Sequence, residues 1–167
     1  MTMPEEIEQL KITLGETADD RKQAEVLLEI LKKYFSINST DTQPYIERLL
    51  QLAEKLNEPL YKAWGLYYLA ILKRLKGEYD DSKDFSVQAL SLFEQMKDRK
   101  GIADSYHNIG YVYFLLPNYP EALKNYFAAL KCREETVRKQ DIASSYSSIG
   151  LVYQRQGNYP EALKNYF

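Results

Sequence analysis

Ten residues recur unchanged in this chain: Asn118–Phe127 and Asn158–Phe167 both read NYPEALKNYF, at an offset of 40 residues. The stretches leading into them are related as well, GIADSYHNIGYVYFLLP before the first and DIASSYSSIGLVYQRQG before the second. Self-similarity at a fixed period of this size marks a stacked array, in which each unit buries its apolar face on its neighbours. Such arrays present long surfaces to other molecules. The second copy stops at the last residue, so the array is expected to be cut within a unit, with more chain to follow Phe167.

Spacing inside the repeat predicts helices. Ala103, Tyr106, Ile109, Gly110 and Tyr113 fall on one helical face. Pro117 ends that helix, with Gly157 and Gly77 in the same place one repeat later and one earlier. Asn118 offers an N-cap, with Glu121 three residues on as in a capping box. Pro120 sits in the first turn, where its missing N–H costs nothing. A second helix then carries Ala122, Leu123, Tyr126, Ala129 and Leu130 on one face. The short link makes the two helices antiparallel neighbours, and Gly110 and Ala122 are small where they must approach closely.

Weaker copies precede this unit. One pairs a helix from about Tyr61 to Lys76 with a second starting near Tyr79. A degenerate pair before it places helices over Ala18–Phe35 and Pro44–Leu56, joined by the polar loop Ser36–Gln43. The spacing from Ala53 to Ala63 is shorter than that from Ala89 to Ala103, so the second helix of this first pair should be about one turn shorter. The expected organisation is an N-terminal segment over 1–17, with a short helix at Pro4–Leu14, followed by an array over 18–167. Its units are 18–57, 61–98, 101–138 and 141–167. The fold class is all-α, an α-α superhelix, or solenoid, of antiparallel helix pairs.

Composition narrows the partners. A net charge of −2 gives no reason to expect nucleic acid or an anionic membrane. No apolar run approaches the roughly 18 residues needed to span a bilayer. Cys132 is the only cysteine, which excludes an internal disulfide or a thiolate metal cluster and suits a reducing, cytoplasmic setting. The acidic start MTMPEEIEQL lacks the apolar core of a signal peptide.

These spacings resemble the tetratricopeptide repeat, whose motif asks for a large residue, then Leu, Gly, Tyr, Ala, an aromatic and Ala in set order. Tyr106, Ile109, Gly110, Tyr113, Ala122, Tyr126 and Ala129 match it, as do Tyr146, Ile149, Gly150, Tyr153, Ala162 and Tyr166. The motif's final proline is absent, with Glu134 in its place. The 40-residue spacing resembles a long-helix subclass, and the repeated phrases are most similar to N-terminal arrays of bacterial sensor histidine kinases and nucleotidyl cyclases.

The resemblance implies that the first helix of each pair lines a concave groove. Carried over by motif position, the groove would present Trp64, Tyr67, Tyr68, Ile71, Arg74 and Leu75 from one unit. The next would present Asp104, His107, Asn108, Tyr111, Phe114 and Leu115, and the last Ser144, Ser147, Ser148, Leu151, Gln154 and Arg155. Aromatics with a few polar groups suit an extended or helical peptide. An aromatic stripe at helical spacing is also what a buried packing face looks like, and Trp64 and Tyr68 are the weaker groove candidates. A carboxylate clamp for chaperone tails is not expected, because only Asn108 fits that pattern.

Catalysis is not expected. Asp104 and His107 lie one turn apart but lack a nucleophile, and Cys132, between Lys131 and Arg133, has no partner set. Asp80, Asp81 and Asp84 open a helix and do not match an EF-hand loop. No phosphate-loop, zinc-protease or dinucleotide pattern occurs, so no cofactor or metal is expected. The expected function is a protein- or peptide-binding scaffold. The alternative is a sensor segment of a larger bacterial signalling protein whose catalytic domain follows. Self-association through the incomplete C-terminal unit is also expected.

Overall fold

The computed structural model describes residues 2–37, 40–136 and 139–167. Nine α-helices account for the secondary structure of these residues: α1 (Met3–Glu16), α2 (Asp20–Ser36), α3 (Gln43–Leu56), α4 (Pro59–Leu75), α5 (Tyr79–Met96), α6 (Arg99–Leu115), α7 (Tyr119–Glu135), α8 (Lys139–Arg155) and α9 (Tyr159–Tyr166). Residues 38 and 39 of the expected Ser36–Gln43 loop, and 137 and 138 at the end of the expected 101–138 unit, lie outside the described residues. The all-α class is as the periodicity required. The expected helix at Ala18–Phe35 begins at Asp20 instead, because the Asp19 carboxylate accepts the Lys22 N–H at 2.7 Å and so caps the helix there. Helix α4 starts at Pro59, two residues before the expected Tyr61, since proline fits the first turn. Helix α3 has 14 residues against 18 in α5, the expected loss of one turn.

From α4 onward a helix begins every 20 residues, at Pro59, Tyr79, Arg99, Tyr119, Lys139 and Tyr159. One device precedes five of these six starts. Asn57, Gly77, Lys97, Pro117 and Gly157 all have positive φ. The next N–H in each case reaches back to close the preceding helix: Glu58 to the Ala53 carbonyl at 3.0 Å, and Glu78, Asp98, Asn118 and Asn158 to those of Lys73, Phe93, Tyr113 and Tyr153 at 2.9 Å. This is the six-to-one bond of a Schellman ending. Its companion bond comes from the positive-φ residue itself, as from Gly77 to Arg74 at 3.0 Å and Gly157 to Gln154 at 3.1 Å. The 40-residue period in the sequence is therefore two 20-residue steps. The half-step is hard to read because five different environments fill one slot with four residue types.

The chain forms two compact units, Met1–Phe85 and Ser86–Phe167. In the first, Leu27, Leu31, Ile46, Leu49, Leu52 and Leu72 form a buried core, with Leu14 of α1 packed against it. In the second, Tyr126 and Leu130 of α7 are buried with Ile149 and Val152 of α8. Close approach of α6 to α7 depends on Gly110. A Cβ there would meet the Tyr126 ring at 2.8 Å and the Ala122 carbonyl oxygen at 3.2 Å, and Ala122 itself has no exposed surface. Gly150 does the same for α8 and α9, against the Tyr166 ring at 2.7 Å.

Pro117 is the misfit in the turn series. Its φ of 26° lies far from the roughly −65° that the ring prefers, and it has no N–H for the companion bond. Strain of this kind costs about 1–3 kcal/mol, and the missing bond about 1 kcal/mol. Replacement by glycine adds unfolded-state entropy worth up to about 1 kcal/mol. Pro117→Gly should therefore raise stability by about 1–2 kcal/mol in urea denaturation; a lower midpoint would show the turn to be relaxed as it stands.

Candidate functional site

Within the second unit, one face shared by α6 and α8 brings His107, Tyr111 and Phe114 of α6 beside Ser148 and Arg155 of α8. Tyr111 and Phe114, three residues apart on α6, stack with ring centroids 6.0 Å apart and planes 20° from parallel. Both are half-buried. The Arg155 guanidinium of α8 lies 5.8 Å from the Phe114 centroid, within cation–π range. Tyr119, at the start of α7, places its ring 6.2 Å from Phe114 on another side. The result is an aromatic ledge with a cation over one end. Leu151 of α8 is half-buried, and Ser147 and Gln154 are exposed. Ser147 bonds its own helix at the Ala143 carbonyl, and Gln154 accepts the Tyr166 hydroxyl at 3.0 Å.

His107 links α6 to α8. Its Nε2 is 3.0 Å from the Ser148 hydroxyl, and its ring lies 5.2 Å from that of Tyr126. Ser148 donates its proton to the Ser144 carbonyl at 3.0 Å, so His107 Nε2 is the donor in the first contact. A histidine with its ring against an aromatic and its Nε2–H directed at serine acts as a strut between helices.

Two expected ligand-facing residues are buried instead. Asn108 is 4% exposed and donates to Ser86 of α5 at 2.9 Å. A buried amide needs such a partner, and here it ties two helices together. Tyr68 is 8% exposed and stacks on Phe35 of α2 at 5.3 Å with the rings 5° from parallel. Trp64 and Tyr67 complete that aromatic cluster, edge to face at 5.4 Å, and stay half-buried, as do Ile71 and Arg74. In the first unit the aromatic stripe thus serves largely to pack α4 onto α2.

Asp104 is also committed internally. Its carboxylate accepts from Lys100 at 2.6 Å and from Arg133 of α7 at 3.2 Å. Arg133 is 7% exposed, and it further donates to the Ser145 hydroxyl at 2.8 Å and the Asp141 carbonyl at 3.1 Å. Its Nε has no hydrogen-bond partner among the described residues. Sequence reasoning overlooked this residue, although a signal existed. One repeat earlier the position is Phe93, fully buried, and Gly101 stands where Asp141 stands. A Cβ on Gly101 would sit 2.2 Å from the Phe93 ring. The two positions change together, from an apolar pair to a polar one.

Cys132 is buried. Its basic neighbours suggest a lowered pKa, but burial, followed by the nearby Glu135, pushes the thiol up, against the weaker pull of Arg99 and Lys131. The thiol is therefore less reactive than a free cysteine at neutral pH. Among the described residues no three His, Cys, Asp or Glu side chains gather as metal ligands, and no helix is long and apolar enough to cross a membrane.

A family model described as tetratricopeptide repeat matches residues 101–166. No curated protein sequence matches the chain. Solved structures share the fold. A Rap protein complexed with competence and sporulation factor superposes with a TM-score of 0.88 at 22% identity, over 96% of this chain and 46% of the other. A signal-transduction ATPase with a tetratricopeptide repeat sensor, from Pyrococcus horikoshii, gives 0.76 at 16% identity, over 98% of this chain and 25% of that one. The apo form of the quorum sensor NprR from B. thuringiensis gives 0.66 at 21% identity, over 95% and 45%. The chain spans less than half the length of each of these three proteins.

The Phe93–Gly101 and Arg133–Asp141 joints generate a swap experiment. Arg133→Phe alone should lower stability by about 2 kcal/mol, because the new ring meets the Asp141 backbone and Cβ. Adding Asp141→Gly should recover most of that loss by rebuilding the apolar joint. Chemical denaturation of the single and double variants checks this; equal midpoints would mean that the two positions are not coupled.

Proposed function

Because this chain carries tetratricopeptide repeats over residues 101–166, we propose that it is a protein- or peptide-binding scaffold whose ligand lies on the face shared by α6 and α8. The observation that carries this reading is the Tyr111–Phe114 ledge with Arg155 over it. Half-buried aromatics are costly to leave beside water, and they are the residues that dominate binding energy at protein interfaces. Leu151, half-buried one turn before Arg155 on α8, supplies an aliphatic contact beside the ledge, while Ser147 and Gln154 face α9. Asn108 and Tyr68 do not belong to the proposed contact surface, and Asp104 and His107 hold its helices in place. The ligand would be a segment with an aromatic or aliphatic anchor for the ledge and an acidic group for Arg155. No catalytic step is assigned to these residues.

A second reading, a sensor segment within a larger signalling protein, draws support from the company this fold keeps. Two of the similar structures are a quorum sensor and a signalling ATPase with a repeat sensor, and both are more than twice as long as this chain. Binding at the same face would then be the input. Self-association is a further proposal, supported by the exposed apolar residues Leu163, Tyr166 and Phe167 on and after α9.

Selection of binders from a displayed random-peptide library, followed by calorimetry, tests the main reading. The double variant Tyr111→Ala, Phe114→Ala should weaken the selected peptides at least about tenfold, or about 1.4 kcal/mol, while its helical circular dichroism matches the parent. Peptides that bind parent and variant alike would place recognition elsewhere.

A further inference from the structure

A second concavity lies on the other side of α6. It is a cleft of about 810 Å³, formed where the C-terminal ends of α5 and α7 flank the first half of α6. Ile102 and Tyr106 of α6 line it together with Ala128 and Cys132 of α7. At about 100° per residue these α6 positions lie on average roughly 130° around the helix from Tyr111 and Phe114. The two sites are therefore independent, and a ligand in one does not touch the other.

The chemistry of the lining is specific. Ile102, Tyr106, Ala128 and Cys132 form its apolar and aromatic part, and charged side chains make up the other five of its nine lining residues. Ile102 and Cys132 are nearly buried, and burial pushes the Tyr106 hydroxyl up from its usual pKa, so it remains a neutral phenol. Three cations stand around it, Lys97, Arg99 and Lys131, against two carboxylates, Glu94 and Glu135. Arg99 and Glu135 satisfy one another at 3.2 Å. Glu94 takes only a long contact from the Tyr106 hydroxyl, at 3.5 Å. Lys97 and Lys131 have no carboxylate within ion-pair distance among the described residues. The net balance of the lining is one positive charge, carried by two uncommitted ammonium groups.

We infer that this cleft is a binding site for a small amphipathic organic anion, with a flat apolar body on Ile102, Tyr106 and Ala128 and an acidic group held by Lys97 and Lys131. Its volume falls in the range of about 300–1,000 Å³ typical of small-molecule sites, and its lining sets four apolar or aromatic residues among charged ones, the pairing that an amphipathic anion needs. The cation excess disfavours a cationic ligand. Glu94 is the group that opposes the anion, so its removal should help.

Fluorescence titration of the full chain with anilinonaphthalene sulfonate, an aromatic sulfonate, tests the site. Saturable binding is expected, at least tenfold weaker in Lys97→Glu, Lys131→Glu and severalfold tighter in Glu94→Gln. Tyr111→Ala, Phe114→Ala should leave it unchanged, which separates this site from the α6–α8 face. Circular dichroism verifies the fold of each variant, and Lys131→Glu alone serves if the pair misfolds. The bound dye should also slow maleimide alkylation of Cys132 at least fivefold. Dye binding that survives charge reversal within twofold, or Cys132 alkylation indifferent to saturating dye, overturns the proposal. Displacement of the dye by a Glu-rich, Phe-containing peptide but not by naphthalene sulfonate would reassign the cleft to a protein partner and overturn it as well.

Discussion

The helix-closing turn with one left-handed residue is the constraint on which the remaining structure depends. The five turns that precede α4, α5, α6, α7 and α9 each use one residue at positive φ and one six-to-one hydrogen bond, and the next helix starts two residues later. Within the second unit the turns before α7 and α9 are alike, so each of these two helices meets the helix before it at the same phase. That phase is what brings Gly110 against Ala122 and Gly150 against Tyr166. Glycine fills the slot without strain at Gly77 and Gly157. Asn57 and Lys97 tolerate it, and only Pro117 resists.

Helix type and order were legible because apolar residues recur at three and four residues over segments long enough to be unambiguous. Close helix approach at Gly110 was legible because glycine inside a helix costs about 1 kcal/mol against alanine, and contact with a neighbouring helix is what offsets that loss. The terminal details were less so. Asp19 moved the start of α2, since an N-cap competes with the helical pattern of the residue before it. The candidate face was partly legible. Motif position puts Tyr111 and Phe114 on one side of α6, but it does not tell a ledge from a strut. Asn108 and Tyr68 have the same periodicity as their neighbours, yet each finds a partner on a different helix, Ser86 and Phe35. Periodicity along one helix carries no information about what the facing helix offers.

The least legible residue was Arg133. An arginine within a charged stretch near a helix end reads as solvated, and its burial rests on acceptors that other helices supply, the Ser145 hydroxyl, the Asp141 carbonyl and the Asp104 carboxylate. Only a comparison of one repeat with the next exposes it. Phe93 and Gly101 fit as ring against bare backbone, whereas Arg133 meets Ser145, the Asp141 carbonyl and Asp104. Where copies agree, as in NYPEALKNYF, the residues build the pair. Where they differ, they decide how neighbouring pairs are joined and what the exposed faces offer.

The exchange of Phe93 for Arg133 gives the two joints opposite responses to their surroundings. An apolar contact strengthens as water is warmed from the cold and is nearly blind to ionic strength. A buried guanidinium held by carboxylate, hydroxyl and carbonyl depends on directional bonds, and guanidinium ions in solution compete for the same acceptors. The α7–α8 joint is thus the place where a change of solvent acts first and most selectively. Closely duplicated helix pairs acquire, through one side chain, an internal gradient of cohesion, so that they loosen in sequence rather than together.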